Sequence, residues 1–441
     1  MNNFVVNCFT PAARRPSGWR GRADRENGPV EDAERDWAPH ARVEVPWRQQ
    51  VERGPRADRL LRTIEVRVPP RIAEADHVAD RPLAASMANA LAGLRQLDGS
   101  HGRRLRSLNQ LLLRTESVAS SKIEDVEASL VDYGRAVLGA RSSASAVSMA
   151  AATDALADVV TQADVSGVVG LTSLRDAHAV LFRRSVDQQH HAGRFRTVQN
   201  WIGGSDYTPR NALYVPPPPD LVPSLLEDLV AFANRDDVPV LVQAAVVHAQ
   251  FESIHPFVDG NGRIGRTLVH AVLRRRRVTR HLTVPLASAL VAHRESYFDA
   301  LGDYREGLAR PIVAMLTAAV IVATHESRRT ATHLHEIRTD WDARLGPVRR
   351  GSPVHRVLIA LPEHPTVTVS GLADSLGLER DEVGAAVDAL HAVQILEPAP
   401  RGLGDRRRGR WEDRVWAARD ILDELADLDQ RIVAVSRLRD G

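Results

Sequence analysis

The sequence predicts a mainly α-helical protein whose last part is a small helix-turn-helix module edged by short strands. Three observations carry that prediction. Apolar residues return at helical spacing over residues 82–138, and again between about 145 and 325. Two irregular stretches, 193–219 and 256–262, interrupt the second of these bodies with turn residues and prolines. From Pro353 the pattern changes to helix, short strand, helix, turn, helix and strand.

Taken in order, residues 1–55 are rich in Arg, Pro, Gly and acidic residues, and read as a disordered arm. Residues 56–140 form an N-terminal helical region. Leu83, Met87, Leu91 and Leu94 make one stripe there, and Leu108, Leu111, Leu112 and Leu130 suggest others. Residues 141–340 are the larger helical body, and its first interruption holds FRTVQNWIGG, a Tyr-Thr-Pro turn and four consecutive prolines. In residues 350–441, VHRVLIAL reads as a helix and TVTV as a short strand. Residues 369–399 then give helix, turn, helix and strand, the order of a winged helix-turn-helix. The arginine-rich run 401–410 stands where a wing would, and a C-terminal helix follows.

Composition narrows the function. With 441 residues, two or three structural units are expected, and 44% hydrophobic with 26% charged residues is ordinary for a soluble globular chain. A formal charge of +2 excludes a molecule that binds nucleic acid through its overall field. Lys122 is the only lysine, and it lies in SSKIED, so neither a Walker A loop nor a kinase lysine is present. Cys8 is the only cysteine, which rules out an internal disulfide and a cysteine-based zinc site. The start lacks a secretory pattern, and the apolar run 312–323 is too short to span a bilayer. A cytoplasmic protein without a membrane partner is expected.

The informative segment is HAQFESIHPFVDGNGRIGRTLVHAVLRR. Leu241, Ala244, Ala245, His248 and Phe251 share a helical face before it turns, and Ile264, Leu268, Ala271 and Val272 share one after. Between the two helices a tight loop collects a histidine, a carboxylate, two glycines around an asparagine, and two arginines. Such a loop suits phosphate. Gly260, Asn261 and Gly262 let backbone N–H groups approach an anion, and the next helix adds its N-terminal dipole. Arg263 and Arg266 flank that first turn and can clamp phosphate oxygens. Asp259 is a hard oxygen ligand for Mg2+, and His255 can accept a proton from an incoming hydroxyl. GNGRIG also satisfies the dinucleotide fingerprint, but that motif needs a preceding strand. His248 and His255 lack a third ligand for zinc, and His248 reads as a core residue.

HPFVDGNGRIGR resembles the full Fic signature, histidine-Pro-Phe-x-(Asp/Glu)-Gly-Asn-Gly-Arg-x-x-Arg. The resemblance implies a Fic-type helical core with a small β-hairpin flap, and transfer of AMP from ATP onto Ser, Thr or Tyr hydroxyls of a target protein, the chain itself included. It implies His255 as the base and Asp259 as the Mg2+ ligand. Gly260, Asn261, Gly262, Arg263, Gly265 and Arg266 would hold the nucleotide. GRFRTVQNWIGG with YVPPPP is similar to the flap that aligns a target segment. Tyr297 resembles an aromatic near the adenine; the asparagine that often follows eight positions later is Arg305 here. Upstream, Ser120 and Glu124 resemble the inhibitory pattern (Ser/Thr)-x-x-x-Glu-(Gly/Asn), with Asp125 departing from it. The implied brake is a Glu124–Arg266 pair. Two other readings stay open: a DNA-binding regulator with a sensory Fic fold, and transfer from another donor such as UTP. The winged helix could serve DNA, the target or a homodimer.

Overall fold

A computed structural model describes residues 35–49, 53–77, 79–100, 105–185, 187–400 and 413–438. Cys8 and the expected wing at 401–410 lie outside the described residues. The chain opens with β1 (Ala41–Pro46), α1 (Arg56–Arg59) and β2 (Thr63–Val68). Helices α2 (Arg81–Gly99), α3 (Leu105–Ile123), α4 (Leu130–Val137), α5 (Ala144–Ser166) and α6 (Leu171–Phe182) follow. After the proline-rich stretch come α7 (Val222–Ala233), α8 (Val240–Ile254), α9 (Asn261–Arg275), α10 (Leu286–Ala292), α11 (Arg294–Arg305) and α12 (Arg310–Leu345). The last part holds α13 (Pro353–Ala360), β3 (Thr366–Val367), α14 (Val369–Leu376) and α15 (Arg380–Ala392). It ends with β4 (Glu397–Pro398), β5 (Trp416–Ala417) and α16 (Arg419–Leu438). The architecture is mainly α with small antiparallel sheets. Among the described residues, no helix is long and apolar enough to cross a membrane.

The structure divides into two compact units. The first is drawn from Met1–Asn89, Ala155–Val278 and His293–Ala318. At its centre is α8, every residue of which is buried. Its sequence, VLVQAAVVHAQFESI, is apolar on nearly all sides, as a helix surrounded by others must be. Helices α7, α9 and α11 pack around it. Its two glutamines are matched: the Gln243 amide donates to the carbonyls of Phe232 (2.9 Å) and Arg235 (2.8 Å), and Gln250 accepts from the Tyr304 hydroxyl at 2.8 Å.

Residues 35–49 depart from the expected arm. Strand β1 pairs with β2 in antiparallel register, Val43 against Val66. The alternating ARVEVP and TIEVRV supply one apolar face, which the compositional reading of the arm overlooked. That face closes a cluster of Ile64, Val66, Trp201 and Val215, with Trp47 edge-on to Trp201 at 6.0 Å. β2 continues the pairing, since Arg67 N–H donates to the Val215 carbonyl at 2.9 Å. The helical region expected from residue 56 thus opens with the short α1 and strand β2 before its first long helix.

The second unit is drawn from Ala90–Asp154, Thr279–Ala292 and Ala319–Gly441. Here α3 packs on α10 and α16. Asp429 of α16 joins all three, accepting from Lys122 Nζ and from the Ser288 hydroxyl, both at 2.6 Å. Between α12 and α16, Arg431 reaches the buried carboxylates of Glu326 (3.2 Å) and Glu424 (2.7 Å). In the last part, α14 ends at Gly377 with φ 59°, a left-handed cap, and Glu379 and Glu382 form a capping box for α15. The sheet order is β3-β5-β4, antiparallel throughout.

Candidate active site

Helix α8 stops at Ile254 because His255 turns left-handed, with φ 49° and ψ 59°, while its N–H still donates to Phe251 at 2.9 Å. A non-glycine residue there costs about 1–2 kcal/mol. The side chain is 5% exposed. Nδ1 faces the Glu252 carbonyl at 3.4 Å, so Nδ1 carries the proton and Nε2 holds the lone pair. Nε2 is buried without a hydrogen-bond partner among the described residues. Burial, then the charges of Arg196 and Arg305, pull the His255 pKa down to about 3, so the ring is neutral near pH 7.

Arg196 holds the turn from the other side. Its Nε donates to the His255 carbonyl at 2.9 Å, and its Nη2 to the carbonyls of Pro217 (2.5 Å) and Ile254 (3.3 Å). Asn261 braces the loop: its Oδ1 accepts from Phe257 N–H at 2.8 Å and its Nδ2 donates to the Phe257 carbonyl at 2.9 Å. Asn200 donates to the same carbonyl at 3.0 Å. Gly260 has φ 76°, and a Cβ there would come within 2.8 Å of the Phe182 ring, so this position admits only glycine.

The Gly260 carbonyl accepts from Ile264 N–H and starts α9. The N–H groups of a first helical turn have no intrahelical partner, so the start of α9 is of a kind that suits an anion. Arg263 and Arg266 stand one turn apart and are buried, Arg263 over the Phe182 ring at 5.5 Å. Asp259 is half-buried beside this helix end, its Oδ1 accepting from Gly260 N–H at 2.6 Å. No group of three or more His, Cys, Asp or Glu among the described residues could hold a metal alone. A cation at Asp259 would therefore take its other ligands from phosphate and water, the usual habit of magnesium.

Gly265 faces away from the loop, where a Cβ would collide with the Glu252 carboxylate on α8. Its absent side chain sets the close approach of α8 and α9. Tyr297 is 1% exposed and stacked on His248, whose Nε2 lies 2.8 Å from the Tyr297 hydroxyl. Ser120 lies buried in α3, and Glu124 in the turn that follows it. Asp125 has φ 57°, a conformation that glycine and asparagine favour and aspartate tolerates. That explains why Asp125 can replace the expected Gly or Asn.

The expected flap is an antiparallel bridge, Ile202 to Tyr214, with the turn between held by Gly203 and Gly204 at φ 71° and 77°. Arg305 of α11 stacks on the Tyr214 ring at 3.6 Å.

The sequence reading missed His178. It lies on α6, where it accepts from Gly193 N–H at Nδ1 (2.9 Å) and meets the Asp259 carbonyl with Nε2 (3.0 Å). Its ring stacks on Phe257 at 3.8 Å. The signal was a histidine on the apolar face of α6, beside Leu174, Ala177 and Leu181.

Comparison with known proteins gives the site a family. The family model described as Fic/DOC family matches residues 169–273. An Aquifex aeolicus protein named "Probable protein adenylyltransferase" is 36% identical over 104 residues, 23% of this chain and 30% of that one. Protein adenylyltransferase fic-1 of Caenorhabditis elegans is 27% identical over 154 residues, 34% of this chain and 26% of that one. The chain thus spans less than a third of the length of these relatives. A crystal structure of a Fic family protein from Desulfovibrio desulfuricans overlays 78% of this chain and 98% of its own, with 22% identity and a TM-score of 0.48. The loop that follows α8, its arginines and the flap lie within the matched segment, so it is residues 169–273 that are similar to the Fic/DOC family.

Proposed function

We propose that this protein transfers AMP from ATP to a Ser, Thr or Tyr hydroxyl of a target protein. The observation that carries the reading is His255 Nε2, a buried and unpartnered lone pair at the mouth of an anion-binding helix end. In this reading Nε2 accepts the proton of the target hydroxyl as its oxygen bonds the α-phosphorus. The bond from that phosphorus to the bridging oxygen breaks, and pyrophosphate leaves with the electron pair. The first turn of α9, with Arg263 and Arg266, holds the phosphates and offsets their charge. Mg2+ at Asp259 would neutralise phosphate oxygens and stabilise the departing pyrophosphate. The triphosphate also opposes the arginine charges that depress His255, which raises its pKa toward the range where a general base works.

Glu124 acts as a brake by pairing with Arg266 and competing with phosphate for its N–H donors. The helix-turn-helix of α14 and α15, with the sheet β3-β5-β4, is a winged helix in this reading. The site works in the cytoplasm, where ATP and magnesium are at hand.

The test is incubation of wild type, Glu124→Gly and Glu124→Gly/His255→Ala with magnesium, α-labelled ATP and cell lysate. Label on protein in the single variant, absent in the double, is expected. Label from α-labelled UTP instead would replace the donor. No label from either, with salt-dependent duplex binding, would replace the transferase by the regulator.

A further inference from the structure

Arg305 stands out in the first unit by what it lacks. The carboxylate beside it in sequence, Glu306, is engaged by Arg42 at 3.3 Å and Arg67 at 3.0 Å. Arg305 itself makes no side-chain hydrogen bond or ion pair among the described residues, and its Nε is buried without a partner. Its guanidinium carbon lies over the Tyr214 ring at 3.6 Å, and Tyr214 is fixed in turn by its hydroxyl donating to the Ser253 carbonyl at 2.7 Å. Stacking of this kind occupies the face of the guanidinium and leaves the N–H groups of its rim for a planar acceptor. Glu252 of α8 acts on this cation electrostatically but accepts no hydrogen bond from it, so the hydration lost by its N–H groups is not restored by hydrogen bonds within the protein.

The place of this cation says what would restore it. Tyr214 forms the flap bridge with Ile202, and Ser253 lies on α8 two residues before His255. The field of Arg305 reaches His255 directly. The phosphates have their own donors in α9. We infer that Arg305 recognises a carboxylate on the target segment, from an Asp or Glu close to the hydroxyl that His255 deprotonates. The inference rests on the transferase reading and adds to it a substrate class, hydroxyls in acidic surroundings. It also gives the target a part in catalysis. A carboxylate on Arg305 cancels one of the charges that depress the His255 ring, so an acidic target strengthens the base that attacks on its behalf.

The experiment offers peptide libraries with a fixed Ser, Thr or Tyr and degenerate flanks, with labelled ATP and the Glu124→Gly protein. The modified peptides are then sequenced. Asp and Glu should be enriched about tenfold at one flanking position, in line with a charge-assisted hydrogen bond. Arg305→Gln should abolish that enrichment while transfer to neutral peptides persists. Arg305→Lys should keep part of it, and Arg305→Glu should turn it toward basic residues. Melting curves of each variant exclude misfolding as the cause. Uniform labelling in the parent, enrichment that survives Arg305→Gln, or a raised KM for ATP shared by all peptides would overturn the inference. Absence of label on every peptide and on lysate would instead overturn the transferase reading.

Discussion

Three buried histidines make acid a specific threat to this protein. Burial lowers the pKa of His178 to about 4, and of His248 and His255 to about 3, against 6.5 for a solvated ring. Between those values the unfolded chain binds protons that the folded one refuses, so stability rises with pH and falls on acidification. The contribution is complete above pH 6.5 and is lost as pH falls toward the folded values. Each histidine adds a slope of about 1.4 kcal/mol per pH unit inside that window. The urea midpoint should therefore drop clearly between pH 7 and pH 5, and in His178→Gln the drop should be smaller. Equal midpoints for wild type at the two pH values would contradict the burial of all three. For chemistry, His255→Ala should reduce transfer by about 10²–10⁴-fold, the usual worth of a positioned base. Measured with unchanged ATP binding, that loss would belong to the proton transfer alone.

At the scale of elements, the site depends on how closely α6, the flap and the loop fit together. Gly260→Ala forces a Cβ against Phe182 at a positive φ, and should lower stability by about 1–3 kcal/mol and weaken nucleotide binding with it. Trp201→Ala opens the cluster shared by the flap and β1–β2, a cost of about 3–5 kcal/mol. Calorimetry and retained ATP binding together separate the two, since the Trp201 cavity lies among residues of the flap and hairpin. The helices were legible because Leu83, Met87 and Leu94, or Leu108, Leu111 and Leu112, repeat a face that burial enforces. The loop was legible because its chemistry is concentrated in consecutive residues. The hairpin was not. Six alternating residues inside an Arg- and Pro-rich stretch carry little signal until their partner strand is known. His178 and Arg196 were not legible as site residues either, since their roles come from backbone carbonyls and N–H groups far away in sequence. Tyr297 and Gly265, which the resemblance places at the nucleotide, also pack against α8, Tyr297 on His248 and Gly265 beside Glu252.

At the scale of the molecule, the second unit ties the end of α3, where Glu124 follows, to α10 and α16 through Asp429. Asp429→Ala leaves Lys122 and Ser288 without that acceptor, at a cost of about 1–3 kcal/mol. If Glu124 is the brake, the same change should raise basal transfer in the otherwise wild-type protein without touching any residue of the loop that follows α8. Transfer that stays at the wild-type level, despite a lowered urea midpoint, would separate the stability of this bundle from control of the site.

Lys122 is the only side-chain amine in the sequence, and the structure holds it 2.6 Å from Asp429. A lysine-specific protease therefore has one bond to cut, and it can do so only when the end of α3 opens. Cleavage rate becomes a direct clock for that opening, read as two fragments on a gel. Run with and without ATP, the digestion would report whether the nucleotide loosens the segment that carries Glu124, with no label introduced and no residue replaced.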